Sequence, residues 1–334
     1  MRSGSATLRP LAQLLGLRAG GLTRLLERAL VDFGAEESFS RASERLYCHH
    51  RVRLSESSVR RKTLAHARGM RLRHNAGALS GALPPEGPEN IVAEIDGTML
   101  PVVQTQRGSE GNARKNRLCQ WKETRLAAAR AHGKTQTHYA LGGDDVAECG
   151  EAWARAVALA GWAINSRIHA LGDGATWIYL QYLQVFGSCP GRFLLDFFHV
   201  CEYLAAASAA AATHARWFDV QKRRLLEGHP ERVLACLKPF LEDDDADDEQ
   251  APVRSAYRYL SARMNQLDYP AAERNELPIG SGLIEGGHRH VLQKRLKISG
   301  AWWKQENLAD MAHLRVCRAN QQENLYWQEL RDAA

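Results

Sequence analysis

Three acidic residues stand out because their sequence surroundings are apolar or rich in glycine. Asp96 interrupts the strand-like run IVAEIDGTMLPV, Asp173 follows an apolar segment between two glycines, and Glu285 lies in the first turns of a helix entered through GSG. A buried carboxylate costs several kcal/mol unless it is paired, hydrogen-bonded or bound to a metal ion. If the three side chains converge, Mg²⁺ suits them, because it prefers oxygen ligands and keeps positions open for water and phosphate. Two such ions about 3.5–4 Å apart can activate a nucleophile and stabilise the leaving oxygen of a phosphodiester.

Each acid also has a purely structural interpretation. Asp96 could open a turn with the glycine after it, and Asp173 could cap the helix that follows. Glu285 could pair with Arg289 one helical turn later. Glu94 shares the strand face of Asp96. It could assist metal binding or face solvent, and solvent is the favoured interpretation. Only the set of three acids, on two strands and a late helix, favours a metal site.

Length and composition allow a folded protein of two or three domains. The chain has 334 residues, of which 45% are hydrophobic, enough for a sizeable core. Lysine and arginine number 44 against 38 acids, and the net charge of +6 permits a polyanionic partner without requiring one. The cysteines form no C-x-x-C pair, which fits a reducing cytosol better than a disulfide framework. No apolar run approaches the roughly 18 residues of a membrane-spanning helix.

Residues 1–75 predict a helical domain that binds DNA. Two short helices are indicated by ESFSRASERLYCHH and SESSVRRKTLAHARGMRLR, with a brief turn between them. The second is dense in basic residues, including Arg60, Arg61 and Lys62. This pattern predicts a helix-turn-helix that carries basic side chains to DNA. A helical hairpin with a solvated basic face is the equal alternative.

The middle of the chain alternates strand and helix signals. Residues 76–90 are rich in glycine and proline and predict a linker. Residues 91–200 predict three strands, a helix, a strand, a second helix and a last strand, which indicates a mixed α/β sheet covered by helices. Residues 201–276 become alanine-rich and helical, with EDDDADDE as an exposed loop, and residues 277–334 are helical again.

Five segments resemble blocks of one family of proteins. IDGTMLPV, WKETRL, LGDGATWI, LLDFFHVCEYLAAA and GSGLIEGGHRHVLQKRLKISGAWWKQENLADM are similar to sequences of bacterial insertion-sequence DDE transposases of the Kra type, and more distantly to Mutator-related transposases. The resemblance extends from residue 91 to the C-terminus. It implies a ribonuclease H-like catalytic core formed by residues 91–200 and 277–334, with residues 201–276 as a helical insertion between its two parts.

The resemblance also implies roles for individual residues. The family's two aspartates and its glutamate fall on Asp96, Asp173 and Glu285, which would be the catalytic residues and the ligands of two Mg²⁺ or Mn²⁺ ions. Asp196 is the rival for the second position, since it also follows a strand, but Asp173 is preferred because it ends the fourth strand. His199 is either an accessory group near the site or, as the favoured interpretation, a core histidine.

Basic residues follow Glu285 closely. Four of them are expected to contact DNA phosphates, which position a duplex without reading its sequence. They are Arg289, Lys294, Arg295 and Lys297. Helical spacing would bring Glu285, Arg289 and two leucines onto one face, with an exposed cationic helix as the alternative. The two tryptophans of ISGAWW are expected in the core rather than against bases.

These expectations describe a DNA transposase. It would cleave a phosphodiester at the end of a mobile element with an activated water and join the freed hydroxyl to target DNA in the same site. Its partners would be double-stranded DNA and further copies of itself, in the bacterial cytoplasm near the nucleoid. The alternatives are a ribonuclease H-like nuclease without strand transfer and a catalytically inactive DNA-binding regulator.

Overall fold

The computed structural model describes residues 21–74, 82–105, 117–211 and 216–332. The chain divides into two compact units. The sheet unit comprises residues 80–98 and 123–288, and the helical unit comprises residues 1–79, 99–122 and 289–334. The N-terminal and C-terminal helices thus belong to one unit, although they lie at opposite ends of the sequence. The first residues of the predicted linker, up to residue 81, lie outside the described residues.

Helices and strands follow the predicted order along the chain. The first three elements are α1 (Arg24–Glu36), α2 (Phe39–His50) and α3 (Glu56–His74). Five strands and two helices come next: β1 (Asn90–Thr105), β2 (Arg117–Ala131), β3 (His138–Leu141), α4 (Val146–Leu159), β4 (Arg167–Gly172), α5 (Thr176–Phe186) and β5 (Gly191–Leu195). This succession confirms the predicted mixed α/β pattern.

The named elements after β5 are helical. They are α6 (Phe197–Ala210), α7 (Trp217–Leu226), α8 (Pro230–Leu237), α9 (Pro252–Ser261), α10 (Tyr269–Arg274), α11 (Gly282–Gly286), a π-helix (Gly287–Gln293), α12 (Lys294–Leu296), α13 (Gln305–Ala319) and α14 (Glu323–Asp332). In the described part of residues 201–276 no strand occurs. Within the described ranges, no helix combines the length and the apolar character needed to cross a bilayer.

The five strands form one sheet in the order β3-β2-β1-β4-β5. β4 is parallel to both β1 and β5, and β3 is antiparallel to β2. Ile91, Ala93 and Ile95 of β1 are at most 1% exposed, because the central strands of such a sheet are covered on both faces and read as continuous apolar runs. Trp153 of α4 and Phe186 of α5 pack edge to face in this core, with ring centroids 5.4 Å apart.

The helical segment after β5 contains the acidic run EDDDADDE. Most of the described side chains in this run are exposed, as predicted. Glu242 is the exception, because its two carboxylate oxygens accept hydrogen bonds from the backbone N–H groups of Val253 (3.0 Å) and Arg254 (2.7 Å). Glu242 therefore satisfies free N–H groups at the start of α9 and joins the loop to that helix.

The helical unit has its own core, to which both ends of the chain contribute. Leu30 of α1, Leu46 of α2 and Val59 of α3 are fully buried. α3 also packs against α13, where Arg71 Nε donates to Asp310 Oδ1 at 2.6 Å. The two helices predicted around the basic region are thereby confirmed as α2 and α3, and their use in DNA binding stays a prediction.

Candidate functional site

Parallel strand pairing brings the two predicted aspartates side by side. The last pair of the β1–β4 ladder is Glu94 with Leu171, and Asp96 and Asp173 each lie two residues beyond it. The last pair of the β4–β5 ladder is Gly172 with Leu195, and Asp173 and Asp196 each lie one residue beyond it. Because neighbouring strands lie about 4.8 Å apart, the three aspartates lie close together where the parallel pairing ends.

Asp96 is a half-buried acid among negative neighbours. Its Oδ1 accepts a hydrogen bond from the N–H of Gly97 at 2.7 Å, and its Oδ2 lies 3.9 Å from His288 Nδ1. Asp96 and Gly97 both lie within β1, so the alternative of a turn at this position was wrong. Burial raises the pKa of Asp96 to about 6. The negative charges of Asp173 and Glu123 act in the same direction, while the Gly97 hydrogen bond opposes them. The site therefore disfavours a second negative charge unless a cation is close.

Asp173 is held by a tight turn. Its Oδ1 accepts from the N–H of Ala175 at 2.9 Å, and its Oδ2 has no donor among the described residues. Ala175 is the N-cap of α5 and the helix has no side-chain cap, so Asp173 precedes the helix and the capping interpretation was wrong. Gly174 has a φ of +83°, and a Cβ there would lie 2.9–3.0 Å from side chains that include those of Tyr259 and Arg263. Tyr259 donates its hydroxyl to the Asp173 carbonyl at 2.7 Å, and Arg263 donates to the Gly174 carbonyl at 2.8 Å. The helical segment after β5 thus fixes the turn.

Asp196 has a structural task that occupies both of its oxygens. Oδ1 accepts from the backbone N–H groups of Phe198 (2.7 Å) and His199 (3.1 Å), which makes Asp196 the N-cap of α6. Oδ2 accepts from the N–H of Ser281 at 2.8 Å and from its hydroxyl. Asp196 is only 3% exposed. Of the two rivals, Asp173 is the one with an oxygen left for a ligand.

Glu94 joins β1 to the helix that carries the third acid. It is fully buried, so the expectation that it faces solvent was wrong. Its Oε2 accepts from the N–H of Ile284 at 2.7 Å, at the start of α11. Because Asp196 accepts from Ser281 just before the same helix, the start of α11 is attached both to β1 and to the residue after β5. Glu285, which follows Ile284, is exposed.

The electrostatics of Glu94 are those of an acid kept in its protonated form. Burial raises its pKa to about 8, and the charge of Asp196 adds to this, while hydrogen bonds from Ile284 and Leu283 act against it. Its Oε1 is buried and has no hydrogen-bond partner in the part of the chain that the structure describes. The sequence pattern could not identify Glu94 as buried, because a single glutamate in a strand is usually exposed to solvent.

The chain changes helical geometry directly after Glu285. Residues Gly287–Gln293 form a π-helix, a rare element that occurs often at functional sites. His288 Nε2 lies 3.3 Å from the Asp96 carbonyl, which brings the end of α11 to β1 as well. The predicted single face of Glu285, Arg289 and two leucines is not observed, because Leu292 and Leu296 are fully buried while both charged residues are exposed.

Two further polar residues lie near Asp96. The side chain of His199 is 35% exposed and its Nδ1 lies 3.1 Å from Glu202 Oε2, so the core interpretation of this histidine was wrong. The charge of His199 lowers the pKa of Asp96. Glu123 lies against Gly97, since a Cβ on that glycine would be 2.4 Å from Glu123 Oε1. Glu123 was missed because it lies in the strand sequence WKETRL, where it resembles an ordinary exposed acid.

A metal ion in this site would need several oxygen, nitrogen or sulfur ligands close together. Among the residues that the structure describes, no three His, Cys, Asp or Glu side chains are close enough together to hold one ion. Asp96 and Asp173 nevertheless lie close together where the parallel pairing ends, each with one carboxylate oxygen that lacks a donor among the described residues. Two carboxylates of this kind suit a hard divalent cation, with water and a phosphate as its other ligands.

Comparison with known proteins settles the family. The sequence profile of UPF0236, described as an uncharacterised protein family, matches residues 18–329. The chain belongs to UPF0236. Among curated proteins, no relative matches the UPF0236 chain. A solved structure similar to it is the Drosophila P element transposase strand transfer complex, with a TM-score of 0.32 and 10% identity over 96% of this chain and 83% of that chain. A TM-score this low establishes neither a shared fold nor a shared activity.

The basic residues predicted to meet DNA differ in their surroundings. Arg60, Arg61, Arg289 and Lys297 are exposed in the UPF0236 chain. Lys62 forms an ion pair with Glu27, with Nζ 2.7 Å from Oε1. Lys294, also exposed, has its Nζ 3.4 Å from Glu36 Oε2.

Arg295 has surroundings that its position in a basic run does not reveal. It is only 2% exposed, and its Nε donates to the Gly34 carbonyl at 3.0 Å. Its guanidinium lies over the rings of Phe39 (4.7 Å) and Trp303 (5.0 Å). In this conformation Arg295 is engaged inside the helical unit and its guanidinium is not presented to a phosphate.

Proposed function

We propose that the UPF0236 chain is a DNA transposase with a ribonuclease H-like catalytic core, which cleaves DNA at the ends of an insertion sequence and joins them to target DNA. The observation that carries the proposal is the position of Asp96 and Asp173, each two residues beyond the last pair of the parallel β1–β4 ladder. The sheet order β3-β2-β1-β4-β5 and its mixed strand directions are compatible with such a core. The resemblance of five sequence segments to insertion-sequence transposases supplies the reaction class.

The residues at this sheet edge would hold one or two divalent cations. Asp96 and Asp173 would be the first ligands, and Glu285 would have to move towards them from α11, because no three such side chains among the described residues are close enough to hold one ion. Burial raises the pKa of Asp96 and the charge of Asp173 adds to this, and a cation shared with Asp173 would relieve the repulsion between the two carboxylates. When bound there, Mg²⁺ or Mn²⁺ would polarise the scissile phosphate and lower the pKa of a nearby water.

The other residues of the site would position this donor set. Glu94 and Asp196 bond to the backbone of Ile284 and Ser281 and so attach the start of α11, which carries Glu285, to β1 and to the residue after β5. Tyr259 and Arg263 hold the turn of Asp173. Positioning matters because a metal-dependent phosphoryl transfer depends on ligands held within about 0.5 Å of the productive arrangement.

The helical unit would bind the DNA. Arg60 and Arg61 on α3 and Arg289 and Lys297 near α12 are exposed cations. Arginine and lysine at such positions contact phosphates, which supply affinity and orientation rather than sequence recognition. Recognition of the terminal repeats would then come from α2 and α3, the two helices for which the sequence predicts a helix-turn-helix.

The test is cleavage of a labelled duplex that carries an end of the element. Wild-type protein should cut this duplex with Mg²⁺ or Mn²⁺ and not with a chelator. Asp96→Asn and Asp173→Asn should each lower the cleavage rate by about a hundredfold or more, the loss seen when a transition-state stabiliser is removed. Asp219→Asn is the matched control, because Asp219 is an exposed acid on α7.

Three outcomes would overturn all or part of the proposal. Undiminished cleavage by both aspartate variants would remove the assigned site. Cleavage of any duplex without joining would indicate a nuclease. Specific binding of the end without any cleavage, under all metal conditions, would indicate a DNA-binding regulator.

A further inference from the structure

Two exposed indole rings meet on the surface of the helical unit. Trp121 of β2 is 51% exposed and Trp302 is 40% exposed. Their ring centroids lie 6.1 Å apart with planes inclined by 61°, an edge-to-face pair. Large aromatic side chains usually lie in the core, so an exposed pair of them indicates a binding surface. The expectation that both tryptophans of ISGAWW are in the core was therefore wrong for Trp302, and it is confirmed for Trp303, which is 6% exposed.

The backbone fixes this aromatic pair in place. Trp303 forms a parallel bridge with Val102, and its N–H and C=O bond to the Pro101 carbonyl (3.3 Å) and the Val103 N–H (2.8 Å). Because side chains alternate along an extended segment, Trp303 points inward, where its Nε1 donates to the Leu296 carbonyl at 3.0 Å. The same alternation directs Trp302 outward. The exposed ring is thus held by a buried neighbour rather than left to a mobile loop.

A positive charge accompanies the rings. Lys297 Nζ lies 5.2 Å from the centroid of the Trp121 ring, in a cation–π contact. Lys297 is exposed, as is Lys304 two residues after Trp302. Exposed rings beside lysines are the surface that unpaired nucleotides bind, since each base stacks on an aromatic face and each phosphate needs a cation.

We propose that Trp121 and Trp302 form a stacking site for an unpaired nucleobase, with Lys297 contacting the adjoining phosphate. Duplex bases are stacked on each other and do not reach such rings, so the ligand is single-stranded or locally opened DNA. This inference deepens the proposed function, and it rests on that function for nucleic acid as the ligand. A strand that is cut and then moved has unpaired bases near its end, and a stacking site would hold one of them.

The test is a titration with a short single-stranded oligonucleotide of about ten nucleotides, carrying a fluorescent aminopurine base, in a chelating buffer. Stacking on an indole quenches the probe. Wild-type protein should quench it, while Trp121→Ala and Trp302→Ala should each weaken binding about tenfold. Trp121→Phe should keep most of the affinity, because a phenyl ring still stacks.

Two controls separate stacking from other losses. Phe240→Ala removes an aromatic side chain that is 43% exposed in the sheet unit and should leave quenching unchanged. Because the titration is run in a chelating buffer, it does not depend on metal-dependent cleavage, and a failure of cleavage does not count against the stacking site. The inference is overturned if wild type does not quench the probe, if the alanine variants bind as wild type does, or if Trp121→Phe loses as much affinity as Trp121→Ala at an unchanged melting temperature.

Discussion

The contribution of Glu94 to the stability of the fold depends on pH. Because burial raises its pKa to about 8, the folded protein keeps a proton that the unfolded chain releases at much lower pH. The stabilising contribution is therefore complete in acid, below the ordinary range of a glutamate, and is lost as the pH rises through about 8. The protein should accordingly unfold more easily in alkali than its surface charges alone require.

Glu94→Gln tests this contribution. The glutamine oxygen can still accept from Ile284, but no ionisation opposes folding. We expect the melting temperature of the variant to exceed that of wild type at about pH 9 and to differ little at about pH 5, as measured by circular dichroism. Glu151→Gln, at a side chain that is 72% exposed, is the control. Equal losses of stability in Glu94→Gln and wild type at high pH would contradict the assignment.

Gly174 is the second residue at which a substitution should measurably lower the free energy of unfolding. Its φ of +83° and the crowding by Tyr259 and Arg263 leave no room for a side chain. Gly174→Ala should destabilise the fold by about 2–4 kcal/mol, measured by urea denaturation. Gly282→Ala is the matched control, since a Cβ at Gly282 meets no atom within 4 Å. Similar free energies of unfolding for the two variants would show that the Asp173 turn is not constrained.

At the scale of the element, α9 supports the sheet edge. The Tyr259 hydroxyl reaches the Asp173 carbonyl, so Tyr259→Phe should lower the cleavage rate about tenfold while costing only about 1 kcal/mol of stability. Tyr257→Phe on the same helix should be neutral for both. Cleavage rates and urea midpoints, measured on the same preparations, check the two effects. A Tyr259→Phe variant that cuts as fast as wild type would mean that α9 is merely packed against the turn.

The elements themselves were predictable because hydrophobic runs and their breaks follow local rules. The succession from β1 to β5 follows from apolar runs of strand length that alternate with amphipathic helices, and it is confirmed. Three features depend on contacts remote in sequence and could not be predicted. They are the buried Glu94, the four hydrogen bonds that Asp196 accepts, and the π-helix that contains Arg289.

At the scale of the whole molecule, the two ends of the chain form one helical unit. A local pattern does not encode this grouping, and the burial of Arg295 depends on it. Inside a basic run Arg295 looks like its neighbours, yet Phe39 from α2 and Trp303 near the C-terminus enclose it. Charge counts along a sequence therefore overestimate the cations that DNA can reach.

This difference between cations gives a prediction for DNA binding. Arg60→Ala and Arg61→Ala should each lower duplex affinity and reduce the salt dependence of log K by about one unit, at an unchanged melting temperature. Arg295→Ala should instead destabilise the helical unit by about 3 kcal/mol. Fluorescence anisotropy at several salt concentrations, together with thermal melts, separates the two classes. An unaltered salt slope in Arg60→Ala and Arg61→Ala would remove α3 from the DNA contact.

The most direct test of the metal site is cleavage of the polypeptide by a bound redox-active ion, which locates the residues next to it. Fe²⁺ substituted for Mg²⁺ generates hydroxyl radicals in the presence of ascorbate and peroxide, and these cut the polypeptide beside the ion. We expect fragments that end near residues 96, 173 and 285 in wild type, and we expect these fragments to be absent from Asp96→Asn. Fragments confined to the acidic run at residues 242–249, or the same fragments in wild type and Asp96→Asn, would contradict the proposed metal site.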